Sequence, residues 1–315
     1  MLKRLLTGIV YIAVLVGFFF LRYVDHRLFG ILIYAFSLLG TYEMLHAFSH
    51  AHEREGAELC AAESGKAPAR SVLSLSQKIA VWAYAGLFAP VFYLCEWMND
   101  GAGYRGALIL SFVFAVVLFC LLVIDHKNAT LGGTGASLLC GVYPTAILAT
   151  MMLANELKTA STLALLLIFV ISPVADTFAF LTGSLIKGRK LCPNISPNKT
   201  VSGAVGGVVF GTGASVLLYW LYTVCSGYVY AGVGSAWAGT PWVFFAVLGL
   251  VTSLLTEFGD LVESVIKRRL GVKDMGRLLP GHGGVLDRID GTLFASMIVY
   301  ILFALFITPV ATVVP

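Results

Sequence analysis

Apolar runs recur from one end of the chain to the other, separated by short polar stretches. The first, MLKRLLTGIVYIAVLVGFFFL, follows Lys3 and Arg4 and reaches Leu21 without a small-residue cleavage site. It reads as an uncleaved anchor rather than a signal peptide. Further helices are predicted over roughly 28–49, 79–97, 106–124, 134–154, 161–186, 203–225, 241–258 and 292–311, most with the ~20-residue length that spans hydrocarbon. The pattern predicts an all-α polytopic membrane protein of about nine transmembrane helices. The stretch over 50–77 is rich in Ala, Glu, Ser and Gly, lacks apolar periodicity and reads as a flexible connector. Two regions are expected: N-terminal spans over 1–160 and a C-terminal catalytic region over 161–315.

Composition strengthens the membrane reading. Hydrophobic residues make up 58% and charged residues 12% of the chain, against roughly 45–50% and about 25% for a soluble domain. The six cysteines (Cys60, Cys95, Cys120, Cys140, Cys192 and Cys225) show no CxxC pair and no zinc-ligand spacing. Most lie in apolar runs, where cysteine acts as a small hydrophobe. The net charge is +4 with no basic run, so no nucleic-acid partner is expected. If the N-terminus is cytoplasmic, seventeen Lys and Arg fall on that side and only Arg22, Arg27, Arg105 and Lys158 on the other. This positive-inside bias predicts a cytoplasmic N-terminus, an outside C-terminus, and cytoplasmic 187–202 and 259–290 segments.

Charge is unevenly spread. Of the 38 Asp, Glu, Lys and Arg residues, twelve fall between Glu257 and Asp290. In EFGDLVESVIKRRLG, residues Asp260, Glu263, Ser264 and Lys267 are spaced i, i+3, i+4 and i+7, so a continuing helix places them on one face, with Glu257 one turn earlier. Carboxylates gathered there need a positive partner, and magnesium commonly binds through a few carboxylates plus substrate phosphates. On the stripe alone, a solvated amphipathic helix end is the simpler reading. The following Pro280-Gly281-His282-Gly283-Gly284 forces a turn, and glycines at such turns let backbone amides approach phosphate oxygens. Asp287 and Asp290 then open the last span, where carboxylates are costly and usually functional. With Lys267, Arg268, Lys273, Arg277 and Arg288 beside them, the constellation outlines a phosphoryl or nucleotidyl transfer site.

A second cluster, GRKLCPNISPNKTVSGAVGG over 188–207, falls on the same side by the charge count. Ser196, Lys199, Thr200 and Ser202 offer hydroxyls and an ammonium, and Gly203, Gly206 and Gly207 open the next span. G-x-x-x-x-G-K-[ST] is absent, so this is not a P-loop. A rigid turn followed by close-packed small residues explains the cluster equally well. Asp176, in SPVADTFAF, is an intramembrane carboxylate expected to face a polar cavity or a partner.

The run SVIKRRLGVKDMGRLLPGHGGVLDRID, Ser264 to Asp290, resembles the signature of the phosphatidate cytidylyltransferases, or CDP-diacylglycerol synthases. Ser264, Lys267-Arg268, Lys273-Asp274, His282-Gly283-Gly284, Asp287-Arg288 and Asp290 carry the resemblance, and ADTFAFLTG with ISPNKTVSGAVGG extends it upstream. The first half is similar only as a bundle of apolar spans. Ser202 departs from the acidic or amide residue expected after Lys-Thr-x.

The resemblance implies that CTP and phosphatidic acid react, with magnesium, to give CDP-diacylglycerol and pyrophosphate at a membrane site facing the cytoplasm. Asp260, Asp287 and Lys267 are the expected catalytic residues. Asp260 and Asp287 are expected as primary metal ligands, with Glu263 and Asp290 supporting. Ser196, Lys199, Thr200, Ser264 and Arg288 are expected substrate contacts. His282 is expected to orient the turn or contact phosphate. The resemblance further implies a second, monovalent cation such as K+ and a homodimer in the inner membrane; the spacing shows neither. Two rivals stay in view. A CTP-dependent polyprenol kinase would transfer the γ-phosphoryl group to an alcohol and need a base for its proton. An ion-coupled transporter would use Asp176, Asp260 and Asp287, but such proteins usually show repeat-related broken helices near the midplane.

Overall fold

The computed structural model describes residues 2–50, 72–158, 160–226, 228–230, 240–279, 281, 283–307 and 311–313. Among them are nine helices: α1 Leu2–Leu21, α2 Arg27–His50, α3 Leu75–Met98, α4 Gly103–Ile124, α5 Leu131–Asn155, α6 Ser161–Ile186, α7 Val201–Ser226, α8 Pro241–Arg269 and α9 Leu286–Phe306. From α2 onward these eight are long and apolar enough to cross a membrane, whereas the described apolar part of α1 is the shorter Thr7–Leu21. Two antiparallel pairs complete the inventory: β1 Lys190–Cys192 with β2 Ser196–Thr200, and β3 Tyr228–Tyr230 with β4 Ala311–Val313. The architecture is an all-α polytopic membrane protein.

Boundaries differ from expectation where charge interrupts an apolar run. Helix α8 continues to Arg269, eleven residues past the predicted end, and α9 starts at Leu286 rather than about 292. Hydropathy stops a span at its first charges, but the backbone hydrogen bonds of a helix do not. The expected connector over 50–77 lies mostly outside the described residues. Its last residues are helical: Ser74 accepts from the Gln77 amide at 3.2 Å and Gln77 Oε1 accepts from the Ser74 amide at 3.0 Å, so a capping box starts α3.

The chain forms two compact units, Met1–Ala149 with Ile266–Arg288, and Thr150–Val265 with Ile289–Pro315. In the first, Phe29, Ile33, Met44, Val81, Phe88 and Leu118 are buried between helices. Polar pairs add direction, which matters in a bilayer that supplies no competing water. Ser37 and Thr145 hydroxyls lie 2.9 Å apart, and Gln77 Nε2 donates to Thr134 Oγ1 at 3.1 Å. A π-helical turn, Val142–Ala146, interrupts α5 at Pro144. Pro144 lacks the amide that an α-helical turn would use. Outward, Phe112 and Val123 on α4 present bare apolar surface suited to lipid.

In the second unit α6 and α7 pack along each other through small residues. A Cβ added at Gly203 would meet the Ala179 carbonyl at 2.6 Å, and one at Gly207 would meet the Ala175 carbonyl at 2.8 Å. The rings of Phe178 and Phe210 stack with centroids 4.0 Å apart. The GAVGG run is therefore a packing face, as small residues in membrane helices commonly are.

Candidate active site

Within the second unit the chemistry gathers around Lys199. The β1–β2 hairpin delivers this residue, and Thr200 fixes it by capping α7: its Oγ1 accepts from the Gly203 amide at 3.1 Å. Burial works against the Lys199 charge, but Asp260 and Glu257 outweigh it and hold the ammonium above the usual lysine range. Its Nζ lies 2.7 Å from Asp260 Oδ2 and 2.9 Å from Glu257 Oε2. Both acids come from α8, three residues apart on one face, as the stripe predicts. Ser264, one turn further, donates to Asp260 Oδ1 at 3.4 Å. Asp176 on α6 is within electrostatic range of Lys199, Glu257 and Asp260, and of Asp290 on α9, and Glu263 is fully buried.

Three acids, Asp176, Glu257 and Asp260, thus share the field of one ammonium, with Asp290 acting on Asp176, an arrangement that favours a further cation. Glu257 Oε1 is buried without a hydrogen-bond partner, which makes it a hard oxygen donor still available. The donor types fit magnesium. Among the described residues, however, no three His, Cys, Asp or Glu side chains are assembled as a ready ligand set. Lysine occupies the carboxylates instead.

The first unit holds a second ion pair. Lys267 Nζ lies 2.9 Å from Asp287 Oδ1, with the Asp287 side chain only 4% exposed. Asp287 Oδ2 also accepts from the Gly284 amide at 2.7 Å and the Met275 amide at 3.0 Å. This carboxylate therefore ties both ends of the 275–284 turn to the start of α9. Gly281 and Gly283 have φ of 79° and 86°, a region that side chains rarely adopt, and Leu279 donates to the Gly283 carbonyl at 2.9 Å. A cavity of about 670 Å³ borders this turn, lined by Tyr42, Glu43, His46, Lys273, Asp274 and Arg277 among others.

The structure thus brings Lys199, Asp260 and Ser264 together in one unit, and Lys267 and Asp287 in the other. Ser196 starts β2 opposite Cys192, and Arg288 is exposed, within electrostatic range of Tyr11. His282 lies outside the described residues. Ser202 stands at the edge of the cluster: its hydroxyl donates to the Lys187 carbonyl at 2.5 Å and lies 3.2 Å from Thr200 Oγ1. Sequence reasoning places Glu257 on the stripe without assigning it a contact, and it misses Glu43. The signal for Glu43 was a lone carboxylate in the apolar run LGTYEMLHAF, where an unpaired charge is expensive.

Comparison with known proteins places these clusters in context. The model of the cytidylyltransferase family matches residues 2–306. A phosphatidate cytidylyltransferase of Brucella abortus (biovar 1, strain 9-941) is 36% identical over 205 residues, covering 65% of this chain and 69% of its own. One from Bacillus subtilis (strain 168) is 40% identical over 131 residues, 42% of this chain and 44% of its own. One from Mycobacterium bovis (strain ATCC BAA-935 / AF2122/97) is 32% identical over 239 residues, 70% of this chain and 73% of its own. Both the stripe on α8 and the turn before α9 fall inside the matched region, and the chain belongs to the cytidylyltransferase family.

Proposed function

We propose that this chain transfers the cytidylyl group of CTP to phosphatidic acid, giving CDP-diacylglycerol and pyrophosphate. The observation that carries the reading is the pairing of Lys199 with Glu257 and Asp260, with Asp176 in electrostatic range of all three and of Asp290, inside a membrane protein of the cytidylyltransferase family. A site with excess negative charge takes a cation, and a cation with lysines takes phosphates. In the reaction an oxygen of the lipid phosphate forms a bond to the α-phosphorus of CTP, and the bond to the bridging oxygen of pyrophosphate breaks. The nucleophile is already anionic, so no strong base is needed. Alignment and charge neutralisation are the work left to the protein.

Asp260 and Asp287 are the carboxylates we assign to magnesium, with Glu263 and Asp290 in support. When bound, the metal would offset charge on the CTP phosphates. Lys199 and Lys267 are held as ammonium groups by carboxylates and can transfer those contacts to phosphate oxygens. Ser196, Ser264, His282 and Arg288 are assigned to substrate contact, and Thr200 to keeping Lys199 in place. A monovalent cation such as K+, a homodimer, and a site facing the cytoplasm belong to the same proposal.

Purified protein in lipid nanodiscs, given α-labelled CTP, phosphatidic acid and magnesium, should release pyrophosphate and label the lipid. Unlabelled lipid phosphate and free CDP, formed from an added polyprenol, would instead favour the kinase.

A further inference from the structure

Glu43 is a buried acid in α2, 1% exposed, in a stretch otherwise suited to hydrocarbon. Both of its carboxylate oxygens are engaged by residues more than two hundred positions away. Oε1 accepts from the Val285 amide at 2.9 Å and Oε2 from the Leu286 amide at 2.8 Å. These are among the amides that α9 leaves without an intrahelical acceptor, so an anionic oxygen there is well placed. The turn is shaped to admit the acid: a Cβ at Gly284 would meet Glu43 Oε2 at 2.5 Å, and one at Gly276 would press on Oε1. Two residues on, Asp287 binds the Gly284 and Met275 amides and Lys267. The 275–287 segment is therefore clamped by Glu43 from one helix and Asp287 from another. Glu43 also forms part of the wall of the 670 Å³ cavity, whose cationic side chains are Arg277 on the clamped segment and Lys273 two residues before it.

We infer that Glu43 is a positioning residue that preforms the 273–287 turn as a receptor for the polyphosphate of the nucleotide. This rests on the proposed cytidylyl transfer, since CTP is the polyanion it supplies. A cavity of this volume suits a nucleotide, and its lysine and arginine suit phosphate. The ordering of the turn, set by folding, is then not charged to substrate binding.

The test uses the full chain in nanodiscs with Glu43→Gln, Glu43→Asp and, as a control for a buried polar change on the same helix, Thr41→Val. The side-chain amide that Glu43→Gln introduces presents one acceptor and one donor to two N–H groups, so one clamp bond is lost. The KM for CTP should rise about tenfold or more, on the scale of one charge-assisted hydrogen bond. The KM for phosphatidic acid should stay within about twofold, as a local defect in one half-site requires. Tryptic cleavage after Lys273 and Arg277 should accelerate. Glu43→Asp, keeping the charge but not the reach, should fall between, and Thr41→Val should change neither KM nor cleavage. If Glu43→Gln lowers kcat alone, with both KM values and the cleavage rate unchanged, Glu43 merely supports the fold and the inference is overturned. Were wild-type protein to make no CDP-diacylglycerol, the cytidylyl-transfer reading would fail, and the cleavage arm would still judge the clamp.

Discussion

Lys199 shows how much one side chain can be asked to do. Its ammonium neutralises two acids on α8, one of them 8% exposed, and breaking such a pair leaves uncompensated charge, at a cost of about 3–5 kcal/mol. Lys199→Met should therefore lower the thermal midpoint as well as abolish activity. Magnesium should restore more stability to this variant than to wild type, because a cation can then occupy the emptied position. Equal stabilisation of both proteins would speak against a cation at this cluster. The pH dependence follows from the sign of the shift. A raised lysine pKa gives a contribution fully present below the unfolded value of about 10.4 and lost only as pH rises through the folded value. The stability gap between wild type and Lys199→Met should stay level from about pH 7 to about pH 9 as far as this group controls it. Asp260→Asn and Asp287→Asn should each lose at least ~100-fold in turnover. If the two hold one magnesium ion as proposed, the double variant should be little worse than either, because groups acting as a unit are not additive. Near-normal activity of Asp287→Asn with unchanged magnesium dependence would remove it as a ligand. Ser202→Ala, by contrast, gives up the bond to the Lys187 carbonyl, where Lys187 has φ 57°, and a 3.2 Å contact with the Thr200 hydroxyl. It should keep most of its activity and lose about 1 kcal/mol of stability; an activity loss like that of Lys199→Met would give the hydroxyl an essential role.

At the scale of elements, the α6–α7 contact depends on the absence of side chains. Gly207→Ala would push into the Ala175 carbonyl and Glu257 Oε1, both 2.8 Å from the added carbon. The first is backbone, and the second belongs to a buried carboxylate held by Lys199. Overpacking should therefore cost about 1–3 kcal/mol, read as a lower midpoint in detergent. Gly213→Ala, on the same helix with open space around it, should be neutral. These helices were legible in the sequence because a spanning helix announces itself by length and apolarity alone. The stripe on α8 was legible for a related reason: Asp260, Glu263, Ser264 and Lys267 are local, and helical periodicity alone fixes their shared face. The β1–β2 hairpin was not legible. Its strands are three and five residues long, lack alternation and include Pro197, so only the partner strand identifies them. Glu43 was hidden for the opposite reason: its ligands are backbone amides of the 285–286 segment, and no side-chain pattern encodes a backbone donor.

For the whole molecule, the Lys and Arg asymmetry makes a sidedness prediction. Cysteines introduced near Lys199 and near Lys273 should both react with an impermeant maleimide from the cytoplasm only. Labelling of both from the outside would invert the proposed orientation. The structure adds a parity rule that owes nothing to charge. Strand β3 follows α7 and pairs residue for residue with β4 after α9: Tyr228 with Val313, Val229 with Thr312 and Tyr230 with Ala311. Paired strands share one compartment, so the chain between them must cross the membrane an even number of times, and α8 and α9 make two. A reporter inserted between α7 and α8 and another fused after Pro315 must then light up in the same compartment, whichever side that is.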